Sequence, residues 1–473
     1  MFWRKRCYRK AVRSPMRLER LEQRLPLAGN VTAELTGSTL HLAGDNLANN
    51  VMVASAAGGR IAVIGIDTSI NGGTAAFVTT KAVTSIVANF NGGDDALGFG
   101  NSAADYAWQR LFTMLAFAPE AVWLGEQNPP APFDVAALQA TIDEVAGGVT
   151  TFSIPGSLTV ATGDGNDSAG ISGSVGGRVV VRLGRADIGN GLVIGSELTP
   201  SRIGAGVIVR GGDVNDLFAI GNVTVGGTVS AALGDGVNWM VVGGEADTPA
   251  IIDALSYTGG ENMDIIGLAG DVTVRNDVRI LTGSQGEDSV GVYSSDAGGT
   301  VKVRGNVVIN TGTGNDGDAV DVVGDIRGTV SVTTGGGRDT VSVSSHVGWI
   351  SSDGSDPVPT FEVAGTSAIG LDLTINTGAG RDLISIGTST VGRNVWLDAG
   401  TGNDSVRIDG MQVRRNLSIN LGAGNDSLDI ANLRAFAAFF FGGSGTNSLS
   451  TDTATRAASR TLRHYQFQAV TKG

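Results

Sequence analysis

A glycine-rich turn that ends in aspartate recurs along most of this 473-residue chain. Glycine stands four and two residues before six aspartates, which share one register: Asp167, Asp316, Asp339, Asp382, Asp404 and Asp426. The last three follow one another at intervals of 22 residues. The same glycine pair precedes Asn238 and Asn447, and less regular turns end at Asp95, Asp216, Asp264 and Asp288. A fixed period of this length indicates a repeat architecture, in which each repeat packs mainly against its neighbours.

Apolar residues flank each turn at alternate positions. For the turn that ends at Asp404, they are Val395 and Leu397 before it and Val406 and Ile408 after it. Alternation with a period of two predicts two short strands per repeat, each with one face directed inward. One repeat cannot bury that apolar row alone, so successive repeats must stack with their strands parallel. We therefore predict an all-β fold, a right-handed parallel β-helix (β-solenoid), over the alternative of an antiparallel sandwich.

The repeat pattern also predicts how the chain is organised. The predicted parts are a basic N-terminal targeting segment (1–29), irregular early coils (30–100), a small helical insertion (101–152), coils of about 22 residues (153–450) and a C-terminal segment with a closing strand (451–473). Within the insertion, helices are predicted over 103–123 and 133–145, with Asp134 capping the second. The interval of 43 residues between Asp339 and Asp382 predicts one coil whose glycine turn has been lost.

Charge is distributed unevenly along the chain. Residues 1–24 contain nine of the 33 basic residues and two of the 46 acidic ones, a net charge of +7, which leaves a net charge of −20 for the rest. An acidic body argues against nucleic acid as a partner and favours cations. The longest apolar run, residues 111–118, is too short to cross a bilayer, so no transmembrane segment is predicted.

The turns resemble the nonapeptide of repeats-in-toxin proteins, in which a glycine-rich turn leads into an aspartate. The closest matches are residues 163–167, 312–316, 400–404 and 422–426. The resemblance implies that the six aspartates named above bind calcium together with turn carbonyl groups of stacked coils. Calcium also suits such turns on physical grounds, because it prefers six to eight oxygen ligands in flexible geometry. The alternative is a structural turn, in which glycine supplies positive φ and the aspartate accepts hydrogen bonds from turn N–H groups.

The N-terminal segment carries a second resemblance. Residues 21–28, Leu-Glu-Gln-Arg-Leu-Pro-Leu-Ala, follow a run of arginine and lysine. They resemble the N-terminal LEPR-XLL motif of large bacterial repeat proteins that are thought to be exported or sorted to the surface. The resemblance implies an extracellular or cell-surface location.

Three classes of function follow from these features. The first is a non-catalytic extracellular or cell-surface structural or adhesion protein, with calcium ions and an envelope or extracellular polysaccharide or protein as partners. The second is a polysaccharide-active lyase or hydrolase, since parallel β-helices often support such enzymes. The residues nearest to a catalytic set for that alternative are Trp396, Asp398, Arg407 and Asp429. The third is a dedicated calcium-dependent binding module, which is distinguished by whether calcium changes the fold or only its stability.

Overall fold

A computed structural model describes residues 29–117, 133–196, 198–245, 247–293, 299–344, 346–350, 358–362, 365–458 and 461–472. Parallel strands stack there into a β-solenoid of about 12 turns, which confirms the predicted parallel β-solenoid. The basic segment and its LEPR-XLL-like residues, 1–28, lie outside the described residues.

Each complete coil contains three strands, whereas the alternation of apolar residues predicted two. A short first strand precedes a tight turn, the second strand leads into the glycine turn, and the third strand follows that turn. The first strands are Ser153–Ile154, Ser174–Val175, Ser201–Ile203, Val223–Val225, Ala250–Ile252, Val272–Val274, Val301–Val303, Asp325–Ile326, Ser367–Ile369 and Ser389–Val391. The second strands are Ser85–Asn89, Leu158–Ala161, Val179–Arg182, Val207–Arg210, Thr228–Gly234, Ala254–Gly259, Val278–Leu281, Val307–Asn310, Val330–Thr333, Leu373–Asn376, Val395–Asp398 and Thr461–Tyr465. The third strands are Ala96–Phe99, Ser168–Ile171, Gly189–Ile194, Asn215–Gly221, Asn238–Gly244, Asp264–Gly270, Ser289–Tyr293, Ala319–Val322, Thr340–Val343, Leu383–Ile386, Ser405–Asp409, Ser427–Ala431, Ser448–Thr451 and Ala469–Lys472. Two longer strands, Met411–Asn420 and Arg434–Phe441, contain both the first and the second strand of their coils.

Equivalent residues of neighbouring coils lie side by side in parallel register. Val395, for example, pairs with Leu373 of the preceding coil and with Leu417 of the following coil. All three side chains are buried in one apolar core that runs through the stack. Burial of such a side chain stabilises the fold by about 1.5–3 kcal/mol. The apolar rows read from the sequence therefore form the interior, as predicted.

Antiparallel strands lead into the stack at the N-terminal end. Asn30–Thr36 pairs with Thr39–Ala43, and Asn50–Ala56 pairs with Arg60–Gly65 across the 3-10 turn Ala57–Gly59. Two short strands, Ser69–Ile70 and Phe77–Val78, complete this region. Thr39–Ala43 and Asn50–Ala56 then pair in parallel with the first regular second and third strands. The sequence predicted irregular coils here but not the antiparallel pairing.

The helical insertion contains α1 (Ala103–Phe117) and α2 (Val135–Ala146), and a third helix, α3 (Thr453–Ala458), lies near the C-terminus. The predicted cap of α2 is confirmed, because the Asp134 carboxylate accepts hydrogen bonds from two N–H groups of the first turn. On α1, Gln109 donates hydrogen bonds to Ser172 and to the Gly195 carbonyl group. The insertion thus packs against the outer face of the third strands. None of the described helices is long and apolar enough to cross a membrane.

The long interval between Asp339 and Asp382 does not contain a coil, so that prediction was wrong. Thr340–Val343 pairs directly with Leu383–Ile386. The additional residues include an antiparallel hairpin, His346–Ile350 with Val358–Glu362. A hairpin forms its own backbone hydrogen bonds and therefore need not enter the stack. Like the helical insertion, it leaves the solenoid between the third strand of one coil and the first strand of the next.

The C-terminal segment also differs from its prediction in detail. A closing strand was predicted from residue 465 to residue 470. The structure instead has two strands, Thr461–Tyr465 and Ala469–Lys472, and the predicted interval covers the end of the first, the turn between them and the start of the second. They extend the second-strand and third-strand rows by one partial coil, because each pairs in parallel with the coil before it.

Candidate functional site: a ladder of buried aspartate and asparagine side chains

At most of the glycine turns, the polar residue that ends the turn points into the solenoid, and its side chain binds the preceding coil. The backbone N–H of Asp382 donates to Oδ1 of Asp404 at 2.9 Å, and the N–H of Asp404 donates to Oδ1 of Asp426 at 2.9 Å. We call the whole series the anchor ladder. Its members are Asn49, Asp95, Asp167, Asn190, Asp216, Asn238, Asp264, Asp288, Asp318, Asp339, Asp382, Asp404, Asp426, Asn447 and Gln468. One line of side-chain hydrogen bonds therefore connects the first described coil to the last.

Five of the six aspartates predicted as calcium ligands lie in the anchor ladder. They are Asp167, Asp339, Asp382, Asp404 and Asp426. The sixth, Asp316, is exposed, and its Oδ2 accepts a hydrogen bond from the Gly286 N–H at 3.0 Å. Asp318 takes the ladder position instead and accepts the N–H of Asp288 at 2.9 Å. The turn of this coil is two residues longer, so the glycine spacing selected the wrong carboxylate.

The apolar residues after the turn carry the signal that corrects this assignment. Val320 and Val322 are buried two and four residues after Asp318. The same test finds Asn190, which the glycine pattern missed, because Leu192 and Ile194 are buried at the corresponding positions. Inward apolar pairs therefore locate the ladder more reliably than glycines do, because they report directly on which residues face the core.

The ladder carboxyl groups are shielded from water, and their second oxygens have different surroundings along the stack. Asp404 is only 3% exposed. Oδ2 accepts a threonine hydroxyl at three consecutive coils, from Thr282 to Asp288, from Thr311 to Asp318 and from Thr334 to Asp339. At the next three coils, within the described residues, Oδ2 of Asp382, Asp404 and Asp426 is buried and accepts no hydrogen bond. Buried acceptors without a donor are rare in folded proteins, so a run of three requires an explanation.

The asparagine members of the ladder show which hydrogen bond forms at the side-chain atom that corresponds to Oδ2 of aspartate. Nδ2 of Asn190, Asn238 and Asn447 donates to a glycine carbonyl group in the turn of its own coil, at 2.9, 2.9 and 2.7 Å. The atom that corresponds to Oδ2 is therefore a hydrogen-bond donor in these coils. A protonated carboxyl group can donate in the same way, whereas an ionised one cannot.

Burial raises the pKa of the ladder carboxyl groups. It raises the pKa of Asp382 to about 7 and that of Asp404 to about 6, and repulsion between neighbouring carboxylates adds to the effect. Burial likewise raises the pKa of Asp95 to about 8. The N–H donors of neighbouring coils act in the opposite direction but do not offset the loss of hydration. Part of the ladder is therefore protonated near neutral pH.

A second, exposed ladder follows the outside of the same turns. The N–H of Asn425 donates to Oδ1 of Asn403 at 2.8 Å, and the N–H of Thr446 donates to Oδ1 of Asn425 at 2.8 Å. The polar residue before the anchor thus also joins adjacent coils. Both polar positions of the turn serve contacts within the solenoid.

The residues considered for a polysaccharide-active enzyme lie on two different faces. Arg407 and Asp429 are neighbours on adjacent third strands. Trp396 and Asp398 lie on a second strand, on the other side of the glycine turn. The four side chains are therefore not brought together on one face.

Two further findings bear on what the ladder can bind. Within the residues that the structure describes, no group of three or more His, Cys, Asp or Glu side chains is placed to hold a metal ion. The unpaired Oδ2 atoms are nevertheless suitable oxygen ligands, so calcium stays a prediction. Comparison with known proteins finds no family model, no curated protein and no solved structure that matches the chain.

Proposed function

We propose that this chain is a non-catalytic structural or adhesion protein of the cell surface or extracellular space. The observation that supports the proposal is the anchor ladder. The polar residues that recur in each repeat are directed into the solenoid, where they hold neighbouring coils together. Such use of the recurrent residues favours a rigid scaffold over a catalyst. The basic N-terminal segment, through its resemblance to the LEPR-XLL motif, supports the location.

The location is tested by protease accessibility on intact cells of the native host. We expect protease added outside the cells to digest the full-length chain while a cytoplasmic control protein stays intact. A chain without residues 1–28 should be protected, because the export signal is proposed to lie there. Protection of the full-length chain would contradict the surface location.

The non-catalytic assignment is tested on the purified full-length chain. It is incubated with a panel of neutral and acidic polysaccharides, and new reducing ends and unsaturated products are measured. We expect no release above a heat-treated sample. Release that is lost in the Asp429→Asn or Asp398→Asn variant would favour the lyase or hydrolase alternative.

We also propose that calcium binds the anchor ladder at Asp382, Asp404 and Asp426, where Oδ2 is unpaired in three consecutive coils. Within the part of the chain that the structure describes, Oδ2 of Asp95, Asp167 and Asp264 is unpaired too, but these residues do not form such a run. A divalent ion would supply the positive charge that these buried carboxylates lack. Because calcium binds the ionised carboxylate, protons compete with it. We therefore expect millimolar calcium to raise the melting temperature at pH 8 relative to a chelator, and to have little effect at pH 5.

The control for the calcium prediction is a variant that changes only three carboxyl groups of the anchor ladder. The triple variant Asp382→Asn/Asp404→Asn/Asp426→Asn keeps the Oδ1 acceptors but removes the carboxylates, so it should lose the calcium response. Magnesium is the matched ion, and it should act less because it requires stricter geometry. An unchanged melting temperature at pH 8 with calcium would leave hydrogen bonding as the only role of the ladder.

A further inference from the structure

Four exposed arginines lie together on one edge of the solenoid near its C-terminal end. They are Arg393, Arg414, Arg415 and Arg434, and we call them the arginine patch. Arg393, Arg414 and Arg415 lie where the first strand of a coil turns into the second, and Arg434 begins the first strand of the following coil, so the four lie in three consecutive coils. The N–H of Arg415 donates to the carbonyl group of Arg393, and Gln412, two residues before Arg414, pairs with Arg434. Since neighbouring strands lie about 4.8 Å apart, the four charges fall within about 10 Å along the axis.

The charge of this patch is not neutralised by the protein. Within the described part of the chain, none of the four arginines forms an ion pair. Asp372 on the same edge is engaged by an amide, and Asp398 lies at the far end of its second strand, beside the glycine turn. Asp372 accepts two hydrogen bonds from Asn394, and Asp398 accepts one from Asn420. Adjacent like charges lower stability, so an anionic partner would remove a cost that the free protein carries.

Exposed aromatic side chains adjoin the arginines. Trp396 is 47% exposed on the second strand that follows Arg393, and Phe436 is 54% exposed two residues after Arg434. Exposed aromatic rings offer a flat apolar surface, and tryptophan is typical of binding interfaces. Guanidinium groups bind carboxylates through paired hydrogen bonds. The combination suits a ligand that has both apolar ring faces and carboxylates, which is the chemistry of an acidic sugar.

We propose that the arginine patch and Trp396 bind a linear polysaccharide that carries carboxylate groups. The proposal rests on the proposed function, for which it names the partner. A carboxylated polysaccharide has at most about one charge per sugar, so a short row of arginines can match it. Duplex DNA has one charge per about 1.7 Å, and the net negative charge of the chain would repel it. An anionic bilayer is a broad, negatively charged surface, and the net negative charge of the chain would repel it as well.

The proposal is tested with the purified full-length chain and polygalacturonate as the probe, by calorimetry at low and high salt. We expect saturable binding that weakens with salt. The variant Arg393→Gln/Arg414→Gln/Arg415→Gln/Arg434→Gln should bind about tenfold or more weakly, because it loses four charged donors. Trp396→Ala should also weaken binding while leaving the salt dependence unchanged, since it removes ring contact and no charge.

A matched control separates a specific patch from general charge. Arg178→Gln/Arg182→Gln/Arg202→Gln/Arg210→Gln makes the same charge change on exposed arginines of earlier coils. It should leave the affinity for polygalacturonate within about twofold. Equal losses in the two quadruple variants would overturn the proposal, as would absence of binding by the unaltered chain. Unchanged melting temperatures of the variants exclude loss of fold as the cause.

Further probes distinguish the other outcomes. Fully methyl-esterified polygalacturonate, duplex DNA and phosphatidylglycerol vesicles should show no binding that depends on the arginine patch. Patch-dependent binding of DNA or vesicles, with none of polygalacturonate, would overturn the proposal. Binding by a chain that proves to be intracellular would contradict the proposed function and leave the binding site intact. A surface-exposed chain that fails to bind would contradict only the polysaccharide site.

Discussion

The melting temperature of this protein should fall as the pH rises from about 4 to about 8. The reason is that burial raises the pKa of the anchor-ladder carboxyl groups, to about 6 for Asp404, about 7 for Asp382 and about 8 for Asp95. In the unfolded chain the same groups titrate near the ordinary value of 3.8. Between these limits the folded protein keeps protons that the unfolded chain has released. Stability therefore decreases with rising pH and levels off above about 8.

The expected effect is large because many carboxyl groups contribute. One pKa unit corresponds to about 1.4 kcal/mol for each group. Even partial contributions add up to several kcal/mol, and since about 1 kcal/mol shifts the melting temperature by about 1 °C in a chain of this length, we expect a fall of several degrees. Circular dichroism melts in buffers with a chelator, from pH 4 to pH 9, measure it. A melting temperature that increased from pH 4 to pH 8 would contradict the protonated ladder.

Substitutions within the ladder connect the pH effect to these residues. The triple variant Asp382→Asn/Asp404→Asn/Asp426→Asn should melt at a higher temperature than the unaltered chain at pH 8 and show a flatter pH profile. Asparagine already fills this position at Asn238, where Nδ2 donates to a turn carbonyl group. The exposed Asp187→Asn is the control and should leave the profile unchanged. Asp404→Ala should destabilise at every pH, by about 1–3 kcal/mol, because the Asp382 N–H loses its acceptor.

Replacing Gly402 with alanine should be among the most damaging single changes in the chain. Gly402 has φ of +139°, a conformation that residues with a side chain rarely adopt. A Cβ atom at this position would lie 1.3 Å from the carbonyl oxygen of Gly380 in the preceding coil. The coils would have to separate locally, which would break the hydrogen bonds on either side. We expect a loss of roughly 3 kcal/mol or more in the free energy of unfolding.

Gly37→Ala is the matched control for crowding between coils. Gly37 also has positive φ, at +64°, but a Cβ atom at this position would have no other atom within 4 Å. This change should cost only the conformational strain of positive φ, about 1–2 kcal/mol. Urea unfolding of both variants gives the comparison. Similar losses would show that positive φ, rather than contact between coils, sets the requirement for glycine in these turns.

The sequence was sufficient to predict the stacked coils because burial and backbone geometry repeat together. Val406 and Ile408 alternate with polar residues, and both proved to be buried in the common core. The short first strand was not predicted, since segments such as Ser389–Val391 are too brief to show a period. The assignment of Asp316 failed for a related reason. A turn can gain residues on the surface without moving the strand that follows it, so local spacing does not define the inward position.

The antiparallel hairpin between Asp339 and Asp382 could not be separated from a degenerate coil by length alone. Its 43-residue interval is close to twice the repeat. The pairing of the backbone distinguishes a degenerate coil from a hairpin, and this pairing depends on the assembled stack rather than on the segment alone. The surroundings of Oδ2 could not be predicted either, because aspartate and asparagine occupy the same position of the repeat. Asparagine has an N–H donor there, whereas an aspartate must be protonated before it can donate.

Both insertions depart from the solenoid at one corner, and this makes the corner a natural graft site. The chain there leaves the stack after Phe99 and after Val343 and returns at Ser153 and Ser367 without disturbing the parallel pairing of the coils on either side. A foreign epitope or small domain placed between Ile171 and Ser174 would occupy the equivalent corner of another coil. The solenoid could thus carry several inserted domains on one side, at distances set by the number of coils between them.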